Sequence, residues 1–324
     1  MKEHVRNVRC FLAAMAAVVA GLGLACCELS ASPAGAPAAG AAAAAPAAEG
    51  EKPAGRRLVY ASHSLMWDIP AIMTEEVKAY GIKDHTVLGV QQNGFSTTAA
   101  MWQGGAQSKG WMQNKCDDFV TSPMDMPDTG VDNYVEFGLQ QNPKMRFFIQ
   151  NNWAGFNMDG NLARTRGMAS MGSVNWDATT EEQLKTLNTT CEKAFNDQIK
   201  KINEKYKADE KIAREVAFII PTSEANTELR TLIVQKKFPG LDKQSDLFAD
   251  NIGHPKPVLW VFNSYIHFAC IYGKSPVGLP APARLKQANN PKFDEDFNKR
   301  LQELAWKTVI NCPLSGVKAP EAKK

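Results

Sequence analysis

The sequence lacks a basic surface pattern, and it lacks the cysteine spacing of a metal site. Its 37 Lys and Arg residues nearly balance its 34 Asp and Glu residues. The one dense basic stretch, residues 200–211, is interrupted by acids, which is typical of a solvated helix face and not of a nucleic-acid-binding stripe. The separations between the four cysteines beyond the export region, Cys116, Cys191, Cys270 and Cys312, match no zinc motif. We therefore expect neither a nucleic-acid partner nor a bound metal ion.

The N-terminus has the pattern of a secretory signal. Three basic residues precede an uncharged run over residues 11–25. That length suits the apolar core of an export signal and is short for a membrane span. We predict a signal over residues 1–27 and an exported protein, either periplasmic, extracellular or held at the cell envelope. If the signal is of the lipoprotein type, Cys26 or Cys27 carries the lipid, and that anchor is the only expected membrane contact.

The rest of the chain divides into a tether and one folded domain. Residues 28–56 are rich in Ala and Pro and have little to bury, so we predict a disordered tether. Residues 57–324 can bury about three quarters of their unfolded surface, which is enough for a single domain. A content of 44% hydrophobic and 22% charged residues excludes collagen, coiled coil and global disorder. Export and an even cysteine count in this domain allow one or two disulfides among Cys116, Cys191, Cys270 and Cys312, with three connectivities if all four pair.

Short apolar runs alternate with helical patterns along the domain. Five runs rich in β-branched and aromatic residues are typical of buried parallel strands, and they cover residues 58–61, 86–89, 118–121, 145–149 and 215–220. Helical patterns cover residues 74–80, 97–107, 132–141, 180–209 and 258–271, and residues 154–178 are predicted to be a loop beside the site. This alternation predicts an α/β three-layer sandwich around a five-stranded, doubly wound parallel sheet, with ligands bound at the carboxyl ends of the strands.

Ser64 follows the first predicted strand directly, at the edge where ligands are expected. A serine hydroxyl becomes a nucleophile only when a base lies within hydrogen-bond reach. Of the four histidines beyond the export region, His254 is the best placed, in a loop before the helical pattern 258–271. His63 is expected to point elsewhere, and His267 is expected to be a core residue of that helix. The alternatives are a helix-capping role for Ser64 and a structural loop role for His254.

These residues resemble the motifs of the SGNH, or GDSL-type, serine hydrolases. In that family a Gly-x-Ser-Leu block follows the first strand, and residues 62–65, Ser-His-Ser-Leu, match it with Ser64 as the nucleophile. The family's oxyanion glycine after the second strand corresponds to Gly94, and its late Asp-x-x-His block corresponds to the loop of His254. The order of these motifs over residues 58–280 resembles that of secreted bacterial members and implies a flavodoxin-like fold.

Two positions depart from the family pattern. The family acid lies three residues before the histidine, where this chain has Asn251, with Asp250 one residue further back. An amide cannot stabilise imidazolium as a carboxylate does. The triad is therefore impaired, or the loop bulges so that Asp250 reaches His254, or His254 has only a backbone acceptor. The family's Gly-x-Asn-Asp block is not recognisable after the third strand, and Asn151 or its neighbour Asn152 is the candidate for the missing oxyanion donor.

The resemblance implies an exported hydrolase that cleaves an acyl or acetyl ester of a carbohydrate by Ser-His catalysis. Ser64 attacks the carbonyl, His254 transfers the proton, and the amides of Ser64 and Gly94 hold the oxyanion. Such chemistry needs no metal or organic cofactor. The alternatives are an impaired, glycan-binding protein on the same scaffold and a structural envelope protein. Four tryptophans either line a sugar-binding cleft or pack in the interior: Trp102, Trp111, Trp153 and Trp176.

Overall fold

Five short strands form a parallel sheet. The computed structural model describes residues 52–94, 96–124, 126–153 and 175–319. The strands are β1 (Arg57–Ser62), β2 (Thr86–Gln92), β3 (Asp118–Ser122), β4 (Arg146–Gln150) and β5 (Ala217–Ile220). They lie in the order β2-β1-β3-β4-β5, and each neighbouring pair is parallel. This is the order of a doubly wound sheet, so the predicted α/β fold class is confirmed.

Helices cover both faces of the sheet. They are α1 (Ile69–Tyr80), α2 (Thr98–Gly104), α3 (Ala106–Met112), α4 (Thr129–Gln141), α5 (Glu181–Lys207), α6 (Thr222–Val234), α7 (Pro257–Tyr272), α8 (Ala283–Lys286) and α9 (Glu295–Asn311). Because side chains alternate along a strand, Leu58 and Tyr60 pack with α1, α6, α7 and α9, while Val59 and Ala61 pack with α2 to α5. The result is three layers.

The helix α7 is buried on all sides. Each residue from 258 to 272 is buried, so the helix is covered around its whole circumference and not along one stripe. It begins with Pro257 in its first turn and ends at Gly273, which adopts the left-handed conformation at φ +61°. The segment directly before α7 is therefore fixed at one end to the centre of the protein.

Several helices differ from the sequence patterns. The helix predicted over residues 97–107 is two helices, because the backbone at Gly105 leaves the helical region at φ −89° and ψ 39°. A Cβ at Gly105 would lie 2.4 Å from Met101 O, so only glycine fits this break. The helices α6, α8 and α9 were not predicted, and two of them, α8 and α9, follow α7.

Part of the predicted organisation lies outside the described residues. This applies to the export signal at residues 1–27, with Cys26 and Cys27, to the tether up to residue 51, and to residues 154–174 of the predicted loop. Within the described part, Arg56 of the predicted tether forms an ion pair with Asp118 at 2.6 Å, so folded structure begins before residue 57. No helix of the described ranges is long and apolar enough to cross a membrane.

The cysteine side chains that the structure describes are free thiols, so no disulfide joins any two of them. Cys116 packs with the layer of α2 to α5, whereas Cys270 of α7 packs on the opposite face of the sheet. Burial raises the pKa of Cys116 and of Cys312 to about 12, so both thiols stay protonated. The side chain of Cys191 lies outside the described part of the chain.

Candidate active site

The chain turns sharply after β1, and this turn carries Ser64. A backbone hydrogen bond to His63 O at 3.2 Å closes the turn, and α1 begins only at Ile69. The N-cap residue of α1 is Asp68, so Ser64 does not have the helix-capping role. Ser64 is half-buried at the carboxyl end of an interior strand, the edge of the sheet at which ligands were expected.

His254 reaches Ser64 from the segment before α7. Its Nε2 lies 2.7 Å from Ser64 Oγ, and its Nδ1 lies 2.5 Å from Asp250 Oδ2. An ionised carboxylate only accepts hydrogen bonds, so Nδ1 carries the ring proton and Nε2 accepts from the hydroxyl. The three side chains form one hydrogen-bonded chain with the connectivity of a Ser-His-Asp triad.

Asp250, and not Asn251, contacts the imidazole. Its second oxygen, Oδ1, accepts from the backbone N–H groups of Ile252, Gly253 and His254 at 2.9, 3.1 and 3.1 Å. Burial acts to raise the pKa of Asp250, but hydrogen bonds from the His254 side chain and from the backbone outweigh it, and the pKa is lowered. The carboxyl group is ionised at neutral pH. Asn251 is exposed, and of the three interpretations of this loop the geometry matches the bulge.

His63 is buried beside the nucleophile and joins a polar network. Leu65 N–H donates to its Nδ1 at 3.4 Å, so Nε2 carries the proton and donates to Ser122 Oγ at 3.2 Å. Burial, with a smaller contribution from His254, lowers the pKa of His63 to about 4 and keeps the ring neutral. The prediction assigned His63 no part in the site. Its contacts join β1 to β3, and no sequence pattern signals them.

The same network orients the amide of Asn152. Its Oδ1 accepts from Ser122 Oγ at 2.7 Å and from Gln150 Nε2 at 3.2 Å, while its Nδ2 donates to Pro123 O at 2.7 Å. Nδ2 also lies 3.2 Å from His63 Nε2, so the amide stands beside the residue that precedes the nucleophile. These contacts determine which end of the amide carries the nitrogen.

Gln150 is fixed in turn by α7. His267 Nε2 donates to Gln150 Oε1 at 2.8 Å. Burial lowers the pKa of His267 to about 3, so this ring is neutral and is a core histidine, as expected from its apolar helix. The polar network therefore runs from the interior helix to the edge of the site.

The structure does not bring Asn151 to Ser64. Its side chain is fully buried, its Nδ2 donates to Glu224 Oε2 at 2.7 Å, and its Oδ1 accepts from Ser223 N–H at 2.9 Å. Successive residues after a strand point to opposite sides, so Asn151 joins β4 to α6 while Asn152 turns toward His63. The oxyanion role expected of Asn151 is therefore replaced by a structural one.

Gly94 lies in the turn after β2. Asn93 N–H donates to Ser62 O at 3.0 Å, which fastens this turn beside the end of β1. Gly94 is exposed, its φ lies outside the left-handed region, and a Cβ built on it would meet no described atom within 4 Å. A turn that requires positive φ is thus not the reason for glycine at this position.

The four tryptophans do not form one cleft. Trp153 and Trp176 are buried, with 2% and 6% of their surface exposed, and they lie against the segment of Asp250. Trp102 and Trp111 pack on the opposite layer. Trp67 was not singled out from the sequence, although it follows Ser64 by three residues. It is half-buried and donates from Nε1 to Ser62 O at 3.3 Å.

Comparisons with known proteins support the fold class and identify no activity. No protein-family model and no curated protein matches the sequence. The described residues hold no cluster of three or more His, Cys, Asp or Glu side chains that could bind a metal ion. One solved structure with a similar fold is that of a DUF4886 family protein from Bacteroides uniformis ATCC 8492. It has 11% identity and a TM-score of 0.51, and the match covers 79% of this chain and 95% of that chain.

Proposed function

We propose that this protein is an exported SGNH-type serine hydrolase that cleaves ester bonds. The observation that carries the proposal is the hydrogen-bonded chain from Ser64 Oγ through His254 to Asp250, with distances of 2.7 and 2.5 Å. General-base catalysis requires about 2.6 to 3.2 Å between nucleophile and base, so the first contact is already within reach of proton transfer. The location after β1 of a doubly wound sheet supports the same assignment.

The first half-reaction acylates Ser64. His254 Nε2 takes the hydroxyl proton while Oγ attacks the ester carbonyl carbon, and Asp250 stabilises the imidazolium that forms. The tetrahedral intermediate then collapses, the bond to the alcohol oxygen breaks, and His254 returns the proton to that oxygen. The alcohol leaves, and the acyl group remains on Oγ.

The second half-reaction releases the acid. A water molecule gives a proton to His254 Nε2 and attacks the acyl carbonyl as the nucleophile. Collapse of this second intermediate breaks the bond to Oγ, and Ser64 recovers its proton from His254. The products are the free alcohol and the carboxylic acid, and neither half-reaction needs a metal or an organic cofactor.

Three donors are proposed for the oxyanion: the amides of Ser64 and Gly94 and the side chain of Asn152. Asn152 takes the place expected of Asn151, because its Nδ2 stands beside His63 and its oxygen is already held by Ser122. An amide nitrogen has two hydrogens, and Pro123 O accepts one of them. His63 Nε2 carries its own proton and does not accept the other, which leaves that hydrogen for a ligand. Donors fixed before the reaction stabilise developing charge without reorganisation.

An acyl or acetyl ester of a carbohydrate is proposed as the substrate by analogy with exported members of the family that the motifs resemble. The support for export is the signal pattern over residues 1–27, and the support for the family is the order of the Ser64, Gly94 and His254 motifs. No single tryptophan cleft supports a sugar ligand, so the analogy alone carries the carbohydrate part.

Hydrolysis of an activated ester tests the proposal. The purified protein should release p-nitrophenol from p-nitrophenyl acetate and acetate from acetylated xylan, and Ser64→Ala should reduce both to background. Ser62→Ala is the matched control, because this neighbouring hydroxyl is fully buried and has no hydrogen-bond partner in the described part of the chain. Equal activity of the parent and Ser64→Ala would refute the proposal, and no turnover by the folded parent would favour glycan binding without catalysis.

A further inference from the structure

Two members of the proposed triad lie on a surface turn of residues 249–254. Ala249 N–H donates to His254 O at 2.8 Å and closes the turn, and Phe248 pairs with Pro255 in an antiparallel bridge. Asp250 itself is exposed. An exposed turn samples several conformations unless other contacts fix it, whereas a proton relay needs its atoms held to within a fraction of an ångström.

Two buried indole groups donate hydrogen bonds to the backbone of this turn. Trp153 Nε1 donates to Gly253 O at 3.1 Å, and Trp176 Nε1 donates to Asp250 O at 3.2 Å. The indole N–H is a donor only, and burial leaves it no water as an alternative acceptor, so each bond is costly to lose. The accepting carbonyls belong to the acid itself and to the residue directly before His254.

The turn lies directly on the two rings. Gly253 adopts the left-handed conformation at φ +87°, which allows the extra residue between acid and base. A Cβ on Gly253 would lie 3.3 Å from Trp153 Nε1 and 3.5 Å from the ring of Trp176. The backbone here therefore has little freedom to move toward either ring.

The ring of Trp176 is itself fixed. It packs against the ring of Phe248 at a centroid separation of 4.1 Å and an interplanar angle of 31°. The Arg230 guanidinium lies 5.5 Å from the Trp176 centroid and 5.4 Å from that of Phe248. Arg230 Nε donates to Gln244 Oε1 at 2.8 Å, and another guanidinium nitrogen donates to Thr179 Oγ1 at 3.2 Å. The contacts of the turn thus continue into the interior.

We infer that Trp153 and Trp176 are positioning residues that hold the turn so that Asp250 Oδ2 faces His254 Nδ1 and His254 Nε2 faces Ser64. Neither ring touches the reacting atoms, and both act through the backbone carbonyls of the turn. The consequence for turnover rests on the proposed function, whereas the consequence for the Asp250–His254 contact does not.

The test replaces each indole by a ring without the N–H. The variants are Trp153→Phe, Trp176→Phe and their combination, with Trp306→Phe of α9 as the matched control that packs against the core elsewhere. The first readout is the downfield proton resonance of His254 Nδ1–H, identified by its absence in Asp250→Ala. We expect the resonance to weaken or shift in each single variant, to disappear in the double variant and to persist in Trp306→Phe.

The second readout is the rate of p-nitrophenyl acetate hydrolysis. We expect kcat to fall by about 10-fold to 100-fold with KM nearly unchanged, because misplacement of a catalytic group by about 1 Å costs rates of that order. If neither the parent nor any variant hydrolyses an ester, the proposed function fails. The His254 Nδ1–H resonance still tests the positioning role in that case. An unchanged resonance in a folded double variant would overturn the inference.

A measurement on the unaltered protein covers the case in which the variants do not fold. The indole N–H groups of Trp153 and Trp176 should exchange with deuterium more slowly than that of half-buried Trp306, since the indoles of Trp153 and Trp176 are buried and hydrogen-bonded. Exchange as fast as that of Trp306 would overturn the inference equally.

Discussion

Replacement of Asp250 by Asn tests whether this carboxylate sets the tautomer of His254. Three backbone N–H groups donate to Oδ1, so an Asn side chain keeps its oxygen there and turns its nitrogen toward the imidazole. In the reverse orientation the NH2 group of the Asn side chain would point at three backbone N–H donors, and each lost hydrogen bond would cost about 0.5–1.5 kcal/mol net. The ring must then accept at Nδ1 and hold its proton on Nε2, where it cannot take the Ser64 proton.

The expected loss is large. The same change in a serine protease lowers kcat by about 10⁴, which corresponds to about 5.4 kcal/mol of transition-state stabilisation. Because the atoms connect in the same way here, we expect kcat of Asp250→Asn on p-nitrophenyl acetate to fall by about 10³ to 10⁴ with little change in KM. Folding is checked by urea denaturation and Ser64→Ala supplies the background rate.

Asn251→Asp is the matched control, since it puts a carboxylate at the position that the family pattern predicts. Asn251 is exposed, so this change should leave kcat of the parent unaltered and should not restore activity to Asp250→Asn. The reasoning is refuted if Asp250→Asn keeps about a tenth or more of the parent kcat, or if the carboxylate introduced by Asn251→Asp rescues it.

Three further predictions follow from the site and the core. Asn152→Ala should lower kcat by about 10²–10³. Asn151→Ala should mainly lower the free energy of unfolding, by about 1–3 kcal/mol, because the half-buried carboxylate of Glu224 loses a donor and the backbone N–H of Ser223 loses an acceptor; equal effects on kcat would contradict the assignment. Burial raises the pKa of the Glu76 carboxyl group well above its ordinary value of 4.5. Above pH 4.5 this group ionises in the unfolded chain but not in the folded protein, so rising pH favours the unfolded state. Glu76→Gln should therefore gain stability relative to the parent with rising pH in urea denaturation, and a constant difference would be evidence against this. Iodoacetamide at mildly alkaline pH should label Cys116, Cys270 and Cys312 slowly in the native protein and fully after unfolding without reductant. A disulfide between any two of these cysteines would contradict the structure.

The strands and the two central residues of the candidate site were predictable because each has a local signal. Buried parallel strands appear as short apolar runs, and all five lie within a few residues of their predicted bounds. Residues directly after such strands reach the ligand-binding edge, which singled out Ser64. His254 followed from the scarcity of histidines and from the loop before α7.

Other features depend on contacts that the sequence does not encode locally. The choice between Asp250 and Asn251 depends on the left-handed conformation of Gly253, which allows one more residue between acid and base. The roles of Asn151 and Asn152 depend on which face of the sheet each side chain points to after β4. By contrast, α9 had a readable signal, since Asp294 caps its N-terminus and its buried residues recur at helical spacing.

Covalent labelling of Ser64 tests the central claim most directly. The purified protein is treated with a fluorophosphonate probe, and the adduct is located by peptide mass spectrometry in the parent, in Ser64→Ala and in Ser62→Ala. Because His254 Nε2 lies 2.7 Å from Ser64 Oγ, the account predicts one adduct on Ser64 that is absent in Ser64→Ala and retained in Ser62→Ala. No adduct on the folded parent, or an adduct that persists in Ser64→Ala, would contradict it.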